Sequence, residues 1–328
     1  MSDKTRFLNF PLGLIAGTIP DPAGGLNAIA CFAFAEYAKH CGRDFPAAVS
    51  QTLYLATRGR KTIFPDVMRV FLERNDVRYL AEVTETLWAE GDADFASTAA
   101  DAVRDALAGG LAITDRERQA VVSFVALRDA AHFFGRKITD YDAVMQSAAR
   151  SRQAVSEHET RHGKDATASV PADYFFEVLD NKPTLDDMRV FRCVAAVRSL
   201  VGAKSVCGST KAMIAARMIG AKSPVVAADM AARSPAIAAE LAALSSRKRF
   251  DRIFTTAATR GFFGKCGMGR RVYLSIEHKD PVALASCVKT RFDRLAEYKK
   301  RERTARAARH PQLYSGAEAE GNVTVTLL

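Results

Sequence analysis

Apolar residues recur at the helical spacing of three or four positions through most of the chain. Leu26, Ile29, Ala33 and Tyr37 begin this pattern and predict a buried helix that ends near Cys41. Similar patterns follow at residues 45–57, 65–73, 77–88, 96–107, 115–134 and 141–155. The alternation that is typical of strands is scarce in this half. Residues 1–155 are therefore predicted to form an α-helical domain that serves oligomerisation or partner contacts.

The pattern changes between Gln146 and Ala172, where the side chains become small and polar. Residues 156–172 are therefore interpreted as a polar linker, and residues 173–280 as a second domain. Helix signals resume at Thr184 and at Thr210, whose side chains can cap the backbone N–H groups that follow. The Ala-rich stretch 225–244 is interrupted before Pro235, so it predicts two short helices.

The most informative segment runs from Ser245 to Gly261. Phe250, Ile253, Phe254 and Ala257 fall at i, i+3, i+4 and i+7 and predict a core-facing side. The opposite side carries long cations and short hydroxyls, which suit the major groove of DNA, because arginine reads guanine edges and threonine meets phosphate or base edges. The predicted groove-facing residues are Arg247, Lys248, Arg252, Thr255, Thr256, Thr259 and Arg260.

A basic β-hairpin is predicted directly after this helix. Val272, Leu274 and Ile276 alternate with polar residues, as in a half-buried strand, and the Gly-Met-Gly sequence at 267–269 suits a turn. The order helix, helix, helix and hairpin over residues 184–276 resembles the winged-helix DNA-binding superfamily. The fold class predicted is therefore mainly α: a helical N-terminal domain followed by a winged helix-turn-helix domain with a small hairpin and a C-terminal helix.

This resemblance implies that the helix at 247–260 occupies a major groove. It also implies that Lys265, Arg270 and Arg271 in the wing contact phosphate or the minor groove. One departure is the stretch 222–244, which is longer than the tight turn expected between the second and third helices. Either an extra helix is inserted there, or residues 210–220 do not form the supporting helix.

The distribution of charge adds a location to this interpretation. The 328 residues include 47 Lys and Arg and 37 Asp and Glu, which gives a formal charge of +10. Residues 1–150 hold 17 basic and 19 acidic side chains, whereas residues 247–309 hold 18 and 6. Because the basic window coincides with the candidate helix and hairpin, it favours a polyanionic partner, first of all nucleic acid, over a merely solubilising surface.

Asp280 and Pro281 predict the start of a last helix, in residues 281–328. Leu284, Val288 and Phe292, followed by Leu295, form an apolar stripe that needs a partner. That partner is either the chain itself or a second copy, and a homodimer would match two half-sites on DNA. The basic arm beside the stripe is predicted to contact phosphate through Lys299, Lys300, Arg301 and Arg303.

One motif carries enzymatic chemistry. His158, Glu159 and His162 match HExxH, in which two histidines one helical turn apart bind zinc and the glutamate activates water. Charged residues surround the motif, and Gly163 would end the helix at the second ligand. It is therefore interpreted as part of the solvated linker, with a zinc-dependent hydrolase as the alternative function.

The remaining signals narrow the function further. The glycine-rich segments at 202–211 and 264–269 lack the order of phosphate-binding or dinucleotide-binding loops, and no cofactor is predicted. Six cysteines without a CxxC pair favour a reducing compartment. No apolar run reaches the roughly 18 residues that a membrane span requires.

The sequence thus predicts a cytoplasmic, sequence-specific, double-stranded DNA-binding protein, a homodimer with no membrane partner. It would act as a transcription regulator or as a plasmid- or phage-type replication initiator. A further alternative is a non-enzymatic assembly protein whose basic arm binds RNA or an acidic partner.

Overall fold

The computed structural model describes residues 6–41, 108, 114–268 and 271–309. They form a mainly helical protein with two small antiparallel sheets, so the predicted mainly α class is confirmed. The strands are β1 (Phe7–Pro11), β2 (Thr167–Pro171), β3 (Cys207–Ser209), β4 (Gly264–Met268) and β5 (Arg271–Ser275), and a 3₁₀ helix spans Leu12–Thr18. The α-helices are α1 (Pro22–Ala38), α2 (Asp115–Phe133), α3 (Tyr141–His162), α4 (Ala172–Asp180), α5 (Leu185–Val201), α6 (Lys211–Met218), α7 (Pro224–Arg233), α8 (Pro235–Ser245), α9 (Arg247–Thr259) and α10 (Pro281–Arg309).

Some sequence predictions fall on other parts of the chain. The helices predicted between residues 45 and 107 lie outside the described residues, as does the tail after residue 309. Within the described ranges, no helix combines the length and the apolar character needed to cross a membrane.

Helix starts follow the signals in the sequence. Thr184, Thr210 and Asp280 each accept a hydrogen bond from the backbone N–H three residues further on. The carboxylate of Asp187 accepts a hydrogen bond from the backbone N–H of Thr184, which completes a capping box. Ser234 separates α7 from α8, as predicted for two short helices. These local signals therefore fix the bounds of α5, α6, α8 and α10.

The segment predicted as a polar linker, residues 156–172, has regular structure. Residues 156–162 complete α3, and residues 167–171 form β2, which pairs with β1 in a register that places Leu8 opposite Val170. Ala168 and Val170 are fully buried. One hydrophobic cluster includes residues from both sides of this segment, from Leu8 to Leu274. The expected linker residues thus belong to the packed part of the protein: β2 pairs with β1 and contacts α5, and its alternate apolar side chains lie in the hydrophobic cluster.

Helix α5 is buried on nearly all sides from Met188 to Val197 and contacts β2, α6 and α9. Two of its buried side chains are arginines, and both bind Glu240 on α8. Arg189 donates through Nε and Nη2 to the two carboxylate oxygens at 2.9 and 2.8 Å, and Arg192 Nη2 donates at 2.9 Å. This buried triad joins α8 to the centre of the core.

The second sheet has the strand order β3-β5-β4, so β3 adds a third strand to the predicted hairpin. Gly208 in β3 lies opposite Tyr273 in β5. A Cβ atom at position 208 would lie 2.9 Å from the Tyr273 ring, so the ring can cross β3 only because this residue is glycine. Three residues are too few for an alternating pattern, which is why the sequence did not indicate β3.

Helix α10 begins on this sheet. Leu284 and Val288 are buried against Val206, with Cys266 and Tyr273 packed around them. The next residues of the stripe, Phe292, Leu295 and Tyr298, are 43%, 47% and 65% exposed. The first turns of α10 therefore pack on the chain's own sheet, and the stripe beyond them is open among the described residues.

Candidate nucleic-acid interface

Helix α9 has the two faces that its sequence predicts. Phe250, Ile253, Phe254 and Ala257 are buried, and the rings of Phe250 and Phe254 stack with their centroids 5.6 Å apart. On the other side, five of the predicted groove residues and both flanking cations are solvent-accessible: Lys248, Arg252, Thr255 and Thr259 are exposed with Arg247 and Arg260, and Thr256 is half-buried. The helix is thus anchored by aromatic packing and presents cations and hydroxyls outward.

The arginines of this face are held by aspartates. Arg252 Nη2 lies 2.7 Å from a carboxylate oxygen of Asp186, and Arg260 lies 3.8 Å from Asp187, both in the first turn of α5. Arg247 lies 3.7 Å from Asp251 on its own helix. Such solvent-exposed ion pairs contribute little free energy, so a competing anion can replace the carboxylate at low cost. Each of these three arginines therefore has a carboxylate beside it that an anionic ligand would displace.

Lys265 lies against α9 and not at the tip of the hairpin, where a wing contact is expected. Its Nζ donates a hydrogen bond to Thr255 Oγ1 at 2.7 Å and sits 4.9 Å from the centroid of the Phe254 ring. Burial lowers the pKa of Lys265. This lysine therefore ties β4 to α9 and adds positive charge beside Thr255.

The other predicted contacts have different environments. Arg271 is exposed at the start of β5, opposite Met268, whereas Arg270 lies outside the described residues. Lys299, Lys300, Arg301 and Arg303 are all exposed on the outer half of α10. They form an extension of the basic surface beyond the sheet.

The sequence did not predict that Lys211 lies next to α9. Lys211, at the start of α6, lies 2.5 Å from Asp251 and 5.7 Å from the centroid of the Phe250 ring. It is 40 residues from Asp251 in the chain, and nothing in the local pattern around Lys211 points to that contact. The charged surface of α9 thus includes a residue from α6.

The HExxH motif lies at the end of α3, not in a solvated linker. The rings of His158 and His162 are 4.7 Å apart, and His162 Nε2 lies 3.7 Å from Asp229. Glu159 accepts a hydrogen bond from the backbone N–H of Asp165, so its carboxylate has a structural partner. Within the described ranges, no three His, Cys, Asp or Glu side chains are grouped so that they could hold a metal ion. Among the residues that the structure describes, a zinc ion held by His158 and His162 would therefore have no third ligand.

His158 is expected to make stability depend on pH. Burial lowers its pKa, as do His162 and Lys222, against the opposite effects of Asp165 and Glu159. The native state therefore binds this proton less tightly than the unfolded chain, whose histidine pKa is about 6.5. The free energy of unfolding should fall as the pH falls through and below that value.

Urea denaturation at several pH values between about 5 and 8 tests this expectation. Changing His158 to glutamine should flatten the pH dependence, while changing the exposed His132 to glutamine should leave it intact. Identical pH profiles for wild type and His158→Gln would contradict the assignment.

Comparisons with known proteins find no relative: no protein-family model, no curated protein and no solved structure matches the chain. The function is therefore inferred from the residues that form the surface around α9.

Proposed function

We propose that this chain binds double-stranded DNA through α9 and the adjoining hairpin, as a winged-helix-like module. The observation that carries the proposal is the anchored, two-faced helix α9, whose exposed side is dominated by cations and hydroxyls and whose Thr255 is bonded to the neighbouring sheet through Lys265. A helix of this kind can enter a major groove, where side chains read base edges and phosphates.

The order of elements supports the same proposal. Helices α5, α6 and α9 precede the β4–β5 hairpin, and α7 and α8 lie between the second and third of these helices. This order favours the inserted-helix alternative for the long stretch at 222–244. The role we propose for the module is transcription regulation or the initiation of plasmid or phage replication. Pairing of two copies would present two such modules to a site with two half-sites.

Selection of bound duplexes from a random pool tests the function directly. We expect an enriched site, and a palindromic site would support pairing of two copies. Binding that enriches no sequence, although it depends strongly on salt, would favour the assembly protein with a basic arm over a sequence-specific regulator.

The Arg252–Asp186 pair offers a sharper test. Arg252→Ala should weaken binding to the selected duplex by about 1–3 kcal/mol, because a base contact is lost. Asp186→Asn removes the carboxylate that holds Arg252 and should strengthen binding to the same duplex. Fluorescence anisotropy on the selected and a scrambled duplex measures both effects.

Lys137 supplies the control for a simple loss of charge, because it is exposed and lies between α2 and α3, outside the candidate interface. Lys137→Ala should change neither affinity. Equal losses for Arg252→Ala on both duplexes would remove Arg252 from base recognition and leave it a phosphate contact.

A further inference from the structure

A cleft between β3 and α10 lies beside the proposed DNA-binding surface. We name it the β3–α10 cleft; it has a volume of about 290 Å³. This volume is close to the lower limit of typical small-molecule sites, about 300–1,000 Å³, and therefore suits one small planar group rather than a large ligand. Its lining residues come from the turn before β3, from β3 and β5, and from one face of α10.

Three cations converge on this cleft: Lys204, Arg271 and Arg291. No aspartate or glutamate is among the described residues that line it. Arg247, Arg252 and Arg260 are paired with aspartates, whereas Lys204, Arg271 and Arg291 have no acidic partner within the described ranges. Arg291 Nη1 donates to the backbone carbonyl of Val206 at 3.2 Å, which fixes this guanidinium at the rim. The cleft thus concentrates positive charge that the protein itself does not neutralise.

The same cleft also contains an apolar, planar surface, formed by two aromatic rings. The rings of Tyr273 and Phe292 lie 5.7 Å apart at an interplanar angle of 83°. Gly208 leaves room for the Tyr273 ring to lie across β3. Phe292 also lines the cleft, and it remains 43% exposed although its ring contacts that of Tyr273. An exposed aromatic side chain next to unneutralised cations matches a ligand that carries both a flat ring and a negative charge.

We propose that the β3–α10 cleft binds a nucleotide unit, with its phosphate among Lys204, Arg271 and Arg291 and its base stacked on Phe292. Bases in an intact duplex are stacked and paired, so the unit must come from an unpaired strand or from a free nucleotide. The cleft is separate from the exposed face of α9, and this inference does not require that α9 binds duplex DNA.

Binding of a fluorescein-labelled dT15 oligonucleotide tests the proposal. Phe292→Ala should weaken it at least fivefold, because one stacking surface is lost. Tyr298→Ala is the matched control: Tyr298 lies further along the same stripe, is more exposed, and does not line the cleft. Lys204→Ala should also weaken binding and reduce its salt dependence, whereas Lys137→Ala should do neither. Thermal unfolding of each variant establishes that the fold is retained.

Cys207, which lines the cleft, provides a second readout that needs no variant. Its alkylation by iodoacetamide, followed by peptide mass spectrometry, should slow when dT15 is present, while alkylation of Cys41 should not. Protection by dT15 alone identifies an unpaired strand as the source, and protection by ATP or dTMP identifies a free nucleotide.

Two results would overturn the proposal: equal affinities for dT15 in Phe292→Ala and Tyr298→Ala although dT15 protects Cys207, or unchanged Cys207 alkylation with every nucleotide. Arg252→Ala separates this test from the proposed function, because that change should affect selected duplex and leave dT15 binding unaltered.

Discussion

Changing Glu240 to glutamine is expected to lower the free energy of unfolding by about 3–5 kcal/mol, since it leaves the buried guanidinium of Arg192 without a counter-charge and that of Arg189 with only the exposed Asp186, 3.5 Å away. Glu240 is 6% exposed, and Arg192 at 1% is the largest fully buried side chain of the described residues. Arg192 Nε has no hydrogen-bond partner there, so this guanidinium depends on the bond between its Nη2 and Glu240. Glutamine fills nearly the same space, and the loss therefore reports charge and hydrogen bonding rather than a cavity.

Urea denaturation at neutral pH measures this loss. The matched control is Glu302→Gln, which breaks the exposed pair with Arg306 on α10 and should leave the transition in place. A similar small change for both variants would mean that Arg189 and Arg192 find other partners or reach water.

Acid should reduce the difference between wild type and Glu240→Gln. Burial acts to raise the pKa of Glu240, but Arg189 and Arg192 more than offset it, so the pKa is lowered. The stabilisation by the carboxylate is therefore fully present above the unfolded pKa of about 4.3 and is lost as the pH falls through the lower native value.

Sequence periodicity was sufficient to predict α9, because its two faces arise from residues within one short segment. The same holds for the helix starts at Thr184, Thr210 and Asp280, where the capping group and the capped N–H are three residues apart. Local patterns thus predicted the starts of α5, α6 and α10 and most of the exposed residues around the candidate interface.

The features that the sequence did not predict depend on contacts between residues that are far apart in the chain. Asp186, which holds Arg252, is 66 residues away in the chain, and the partner of Lys211 is 40 residues away. The polar composition of residues 156–172 suggested a linker because β1, the strand that pairs with β2, lies near the N-terminus. The His158–His162 motif has the spacing of a zinc site, but spacing within one helix does not determine whether a third ligand lies nearby.

The sequence predicted that the glycines at 264 and 267 belong to an unsuitable dinucleotide loop, and that Gly267 begins the hairpin turn, whereas Gly267 lies within β4. The structure gives them different environments. Gly264 begins β4 and is buried, and a Cβ atom there would overlap the backbone carbonyl oxygen of His278 and approach Lys279 Cα at 2.9 Å. Gly267 is exposed, and a Cβ atom there would have nothing within 4 Å.

Gly264→Ala is therefore expected to destabilise the protein by about 3 kcal/mol or more, because backbone atoms cannot yield as a flexible side chain can. The displaced segment joins β5 to α10, so the change should also move the hairpin relative to α10 and weaken binding to the selected duplex. Gly267→Ala, a methyl group added three residues away, should alter neither stability nor duplex binding. Thermal unfolding and anisotropy measure the two effects on the same samples.

If both alanine variants unfold at the wild-type temperature, the close packing of β4 on residues 278–279 is wrong. If Gly264→Ala is strongly destabilised but, at a temperature where it is folded, binds the duplex as tightly as wild type does, the hairpin is not part of the interface and α9 alone must carry the recognition.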